Sequence, residues 1–159
     1  MREYKEKEQS KQIIYLDANN LYGYAICQYL PYKSFEWNNY NWTIEDILNI
    51  PSDNNIGYLF NVDLEYPKEL HDKLNDYPLC PINSSIKKEW LSSNQQSEYK
   101  ESKVEKLITT LQNKTSYTVN YRYLQLCIRL GLIIKVSKVL RYEQKPFMKS
   151  YIDLNQIGN

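Results

Sequence analysis

The feature that most narrows the fold of this chain is a period of two. In "GYLFNVDLEYP", Gly57 to Pro67, the residues Tyr58, Phe60, Val62, Leu64 and Tyr66 fall at alternate positions, with Leu59, Asn61, Asp63 and Glu65 between them. Successive side chains of a strand point to opposite faces, so the pattern predicts a half-buried strand with one apolar face and one polar face. Pro67 closes it, because proline has no N–H to give to a ladder. On this strand Asp63 and Glu65 read as a solvated face rather than as a metal site.

Other periods surround it. "LIIKVSKVLRYE", Leu132 to Glu143, predicts a further strand, and two short extended runs, "KLITTLQ" and "YTVNY", flank "NKTS" (Asn113 to Ser116) as a hairpin would. Leu124, Cys127, Ile128 and Gly131 recur at i, i+3, i+4 and i+7, which predicts a helix over Tyr121 to Leu130 ended by Gly131, with Arg122, Gln125 and Arg129 on its opposite face. Thr43 caps a short helix to Leu48. Pro146 opens a terminal helix carrying Phe147, Tyr151 and Leu154 on one side. Tyr32 to Trp42 reads as an irregular connection and Leu91 to Lys103 as a polar, mobile loop. Strands and helices mix without βαβ alternation, so the expected class is α+β with a mainly antiparallel sheet and flanking helices.

Length and composition fit one domain or part of a larger one. With 159 residues, 42% of them hydrophobic, the chain can bury a core. No apolar stretch reaches the roughly 18 residues of a membrane helix, and the charged start "MREYKEKEQSKQ", residues 1–12, has no secretory apolar region. The expected setting is therefore intracellular and reducing, nucleus and mitochondrion being equally open. Cys27, Cys80 and Cys127 are odd in number and widely spaced, which supports neither a disulfide framework nor a zinc site. The single histidine, His71, reads as a surface or packing residue.

A net charge of +1 hides an asymmetry. Residues 45–76 hold eight acids against two bases, and residues 103–149 ten bases against two acids. A polyanion-binding surface needs such a basic third, and a merely solvated basic face has the same composition. Both readings stand at this point. The candidate contacts to such a polyanion within it are Arg122, Arg129, Lys135, Lys138 and Arg141.

One further stretch bears on chemistry. In "IIYLDANNLYGYAICQYLP", Ile13 to Leu16 form a short buried-strand run, Asp17 ends it, Asn19 and Asn20 are turn or cap residues, and Leu21, Ala25, Ile26 and Tyr29 recur at helical spacing until Pro31. A carboxylate is thus expected where a strand hands over to a helix. On these residues alone an ordinary capped turn is the simpler reading.

The stretch "DANNLYG" resembles the first catalytic motif of family B DNA polymerases, D-x-x-S-L-Y-P, and its flanks are similar to the protein-primed branch of organelles, viruses and mobile elements. "GYLFNVDLEYP", "DYPLCP", "VNYRYLQLCIRLGLII" and "VLRYEQKPFMKSYIDLN" agree with that branch in the same order, so the resemblance covers nearly all of residues 13–159. It implies a partial palm domain and DNA-directed addition of deoxynucleotides to a 3′ end by two-metal phosphoryl transfer. Asp17 and the carbonyl of Ala18 would be the metal ligands, for Mg²⁺ or Mn²⁺ in its place, with Asp17 catalytic. The N–H groups of Asn20, Leu21 and Tyr22 would meet the triphosphate, and the Tyr22 ring would select against a 2′-hydroxyl. The implied partners are primer-template DNA, deoxynucleoside triphosphates and a terminal priming protein, with no membrane.

The departures are as informative. Asn20 stands for the usual Ser and Gly23 for the usual Pro, and neither the fingers motif K-x-x-x-N-S-x-Y-G nor the D-T-D-S hairpin occurs in the sequence. The resemblance therefore implies a palm fragment without polymerase activity of its own. The alternatives are a non-catalytic DNA-binding or degenerate remnant and, third, an α+β interaction domain.

Overall fold

The computed structural model describes residues 20–99 and 104–156, which divide into a unit spanning Tyr29–Lys145 and a second one drawn from residues 1–28 and 146–159. The charged tail, the strand expected over Ile13 to Leu16, Asp17 and Ala18 lie outside the described residues. The class is α+β, with a four-stranded antiparallel sheet in the order β1 (Leu30–Asn38), β6 (Ile133–Lys145), β2 (Ile56–Glu65), β5 (Lys114–Asn120) and a two-stranded sheet pairing β3 (Ile82–Ser84) with β4 (Lys106–Ile108). Among the described residues no helix is long and apolar enough to cross a membrane.

The alternating stretch forms β2, Ile56–Glu65, an inner strand between β5 (Lys114–Asn120) and β6 (Ile133–Lys145). Its register pairs Phe60 with Val119 on one side and with Val139 on the other, so the predicted apolar face becomes a continuous sheet face. Phe60, Val62 and Leu64 are wholly or almost wholly buried there, under Ile47 of α2 (Ile44–Leu48) and Leu124 and Cys127 of α5 (Tyr121–Arg129). Gly57 permits the closest approach: a Cβ there would lie 2.4 Å from the Tyr142 ring and 2.5 Å from Gln144 Oε1. The Thr43 cap of α2 is present and is completed by Asp46 as a capping box.

Helix α5 ends as expected. Gly131 adopts φ 102, with Leu132 N–H bonded to Cys127 O and Gly131 N–H to Ile128 O, the paired bonds of a Schellman motif. Gln125 departs from expectation. It is buried although it lies on the flank of Arg122 and Arg129, because α2 and the segment after it pack there, and its Nε2 donates to Ile47 O at 2.8 Å and Ile50 O at 2.9 Å.

Within the expected irregular connection Tyr32 to Trp42, the first part is a strand: β1, Leu30–Asn38, is an edge strand paired with β6, and only Asn39 to Trp42 is irregular. The sequence hides the strand because the register slips between Lys33 and Glu36, where Ser34 takes φ 56, and a bulge destroys the period of two. Glu143 pins the bulge by accepting from Ser34 Oγ at 2.7 Å and Tyr32 Oη at 3.0 Å, bonds that hold its carboxyl below its ordinary pKa. The helix before it, α1, spans Leu21–Ile26 and is shorter than predicted, since Leu30 already joins the sheet.

The hairpin around "NKTS" does not form. β4, Lys106–Ile108, pairs instead with β3, Ile82–Ser84, while β5 pairs with β2. Lys114 explains the detour: it is buried, and its Nζ donates to Thr110 O and Thr110 Oγ1, both at 2.9 Å, and to Gln112 O, folding the connection around the ammonium. Within the expected loop over 91–103, Ser93–Glu98 is a helix, α4, started by a capping box of Ser92 and Gln95; α3 is the short helix His71–Leu74. The terminal helix, α6, begins at Lys149 rather than at Pro146, whose carbonyl accepts the Lys149 N–H.

Candidate functional site

The expected site residues fall in both units. Asn20 carries φ 55 and ψ 41, a left-handed turn that asparagine tolerates better than most residues, and its Oδ1 accepts the Gly23 N–H at 3.2 Å. This is an N-cap. Asn20 O takes the Tyr24 N–H at 3.0 Å to open α1, so Leu21 and Tyr22 form its first turn. Tyr22 is 87% exposed and Leu21 60%, while Gly23 is buried beneath the Asn20 amide. A Cβ at Gly23 would come within 2.4 Å of that amide and displace the cap. Asp17 and Ala18, the expected metal ligands, lie outside the described residues.

The described carboxylates do not make up a metal centre. Among the described residues no three Asp, Glu, His or Cys side chains come together. Asp63 is occupied by the sheet: the β2–β5 register shifts between Val62 and Leu64, and Asp63 Oδ1 closes the gap by accepting Ser116 N–H at 2.8 Å.

The five candidate DNA contacts all lie in the Tyr29–Lys145 unit, and the fold separates them. Arg122 is held by Tyr121 Oη at 3.2 Å and by Ser52 O, and Arg141 Nη1 faces Glu36 at 3.6 Å. Arg129 is exposed in the last turn of α5, in the layer over the buried sheet face. Lys135 and Lys138 are brought together. They lie opposite Asp63 and Asn61 on the second face of the sheet, because an extra residue, Ser137, in β6 shifts the register between them.

That second face holds a group the sequence did not single out. Trp37 is 70% exposed, opposite Leu140, and with Leu59, Asn61, Thr118 and Lys138 it lines a groove of about 460 Å³. Asn61 Nδ2 donates to Ser116 O at 3.0 Å and Thr118 Oγ1 at 3.2 Å, fixing the groove floor. The bulge at Ser34 masked Trp37 in the sequence, since only its spacing from Phe35 hinted at a strand. Side by side, an indole, the Lys138 ammonium and an amide could take a planar ring and an anion.

No protein-family model, curated protein or solved structure matches the chain.

Proposed function

We propose that this chain is a palm segment of a family B DNA polymerase of the protein-primed type, silent in catalysis by itself and weakly DNA-binding through the second face of its sheet. The reading is carried by one observation: "DANNLYG", which in the resembled motif places a metal-binding aspartate before a helix start, passes here from the Asn20 turn directly into α1 with Tyr22 in its first turn. Its two departures from the motif belong together. An asparagine cap at position 20 needs the N–H of residue 23, and proline has none, so Gly23 is the partner that Asn20 requires.

Asp17 and Ala18 are the residues that would hold Mg²⁺; two-metal transfer needs at least one further carboxylate position, and Asp63 is committed to Ser116. For DNA, the groups best placed are Lys135 and Lys138, as phosphate contacts, and Trp37, as a stacking surface. Asp63 opposite Lys135 reduces the positive field, so binding is weak and insensitive to sequence.

Titration of primer-template DNA at several salt concentrations tests the binding. Affinity should fall steeply with salt, and the Lys135→Ala/Lys138→Ala chain should show a log–log slope smaller by about two. No binding at low salt favours the α+β interaction domain. Primer extension by the chain should be silent with Mg²⁺ or Mn²⁺; extension lost in Asp17→Ala would overturn the silence. Sequencing the transcript past the Asn159 codon tests the family: in-frame lysine and D-T-D-S motifs are expected, and a stop in every transcript favours the degenerate remnant.

A further inference from the structure

Two of the three cysteines meet in the core. Cys80 and Cys127 are 47 residues apart in sequence, yet their Sγ atoms lie 3.6 Å apart and both side chains are wholly buried. Cys127 is fixed by α5. Cys80 stands on the turn between α3 and β3 at φ 58, a backbone conformation uncommon for residues other than glycine. Three tyrosines hold that turn: Tyr66 Oη donates to Leu79 O at 2.7 Å, Tyr117 Oη donates to Pro81 O at 3.2 Å, and Tyr123 Oη accepts Cys80 N–H at 3.1 Å. Among the described residues no third ligand joins the two sulfurs, so a metal site is not what this arrangement offers.

We propose that Cys80 and Cys127 form a reversible dithiol–disulfide couple, oxidised as one unit by a small-molecule disulfide such as oxidised glutathione. The two thiols are not equivalent. A hydrogen bond from the Cys127 thiol and the nearby Lys114 ammonium favour the Cys80 thiolate, whereas the same contact and burial hold the Cys127 thiol protonated. Cys80 is therefore the attacking sulfur. Its thiolate displaces one thiolate from the oxidant and becomes a mixed disulfide. Cys127 then gives its proton to the released thiolate and attacks Cys80 Sγ, expelling the second half of the oxidant as a thiolate, which takes a proton from solvent. Two protein thiols are oxidised and one disulfide is reduced to two thiols. Neither sulfur is exposed, so the exchange passes through opening of the 79–81 turn that the tyrosines hold.

The test uses the full chain carrying Cys27→Ser, equilibrated with oxidised and reduced glutathione in native buffer and quenched by alkylation. The expected product is lighter by two hydrogen atoms, carries no glutathione, and yields a protease fragment joining the Cys80 and Cys127 peptides. Its thermal midpoint should rise by about 10 °C, because the bond constrains the unfolded chain. Glutathione adducts at either cysteine, bonds between chains, or two thiols that persist through prolonged exposure would overturn the couple. Tyr117→Phe, which removes one tether of the turn, should form the same bond several-fold faster; an unchanged rate would overturn opening of that turn as the slow step.

Discussion

The Tyr29–Lys145 unit and the helices α1 and α6 dispose of their apolar residues in opposite ways. In the first, Phe60, Val62, Tyr121, Leu124 and Tyr142 have no exposed surface. In the second, Leu21, Tyr22, Tyr24, Tyr151 and Leu154 are all at least 60% exposed. The sheet unit is held by burial across strands that are far apart in sequence. Among the described residues, local bonds support the short helices: the Asn20 cap in one and the Lys149–Asp153 pair at 2.6 Å in the other. Helices of six and eight residues are below the length that sustains itself in water. The lesson is that the motif-bearing turn and the stable core are separate problems, and a substitution can damage one while sparing the other.

The hardest break is expected in the core. Phe60→Ala should cost about 4 kcal/mol in denaturant unfolding, since it opens a cavity between Val119 and Val139. A loss below about 1 kcal/mol would show that this face is not the load-carrying one. Gln125→Leu should cost about 2 kcal/mol by leaving the Ile47 and Ile50 carbonyls without their donor in a buried place. Gly131→Ala should cost about 1 kcal/mol, because φ 102 is strained for any side chain and Leu70 stands 3.2 Å from the new Cβ. Each is read by the same urea titration.

A pH experiment sharpens the contrast. Burial pushes the Tyr142 phenol up to about 12. Its folded value is above its unfolded value of 10.0, so the stability it contributes is present below pH 10 and is lost as pH rises towards 12. In that window the unfolded chain has already released a proton that the folded chain keeps. Tyr142→Phe should therefore flatten the alkaline loss of stability by about one proton near pH 11; an unchanged slope would show that Tyr142 does not report burial. Lys114, whose pKa burial lowers, works in the opposite sense, its native-state penalty shrinking as pH rises. The smallest effect is expected in α6: Lys149→Ala should change stability by no more than about 0.5 kcal/mol, since an exposed i,i+4 pair contributes little. A loss above 1 kcal/mol would mean that this helix contributes more to the fold than its exposure suggests.

The amino-acid sequence by itself determined the elements whose signals are local. The period of two in 57–66, the Thr43 cap, the 3.6 period and Gly131 stop of α5, and the Asn20 turn into α1 each depend on residues within one or two turns of chain, where side-chain direction and capping bonds act without help. Only the tertiary structure decided the rest. The bulge at Ser34 needs Glu143 from a strand more than a hundred residues away, Gln125 is buried because α2 lies against it, Lys114 pulls one presumed hairpin apart, and Cys80 finds Cys127 through a turn held by three distant tyrosines. The same holds for charge: the basic third is continuous in sequence, yet Lys114 is buried, Arg122 and Arg141 are partnered, and of the five candidates Lys135 and Lys138 lie together on the second face of the sheet. Spacing along a chain fixes which way a side chain points from its own element, whereas its partners are set by which elements the hydrophobic core brings together.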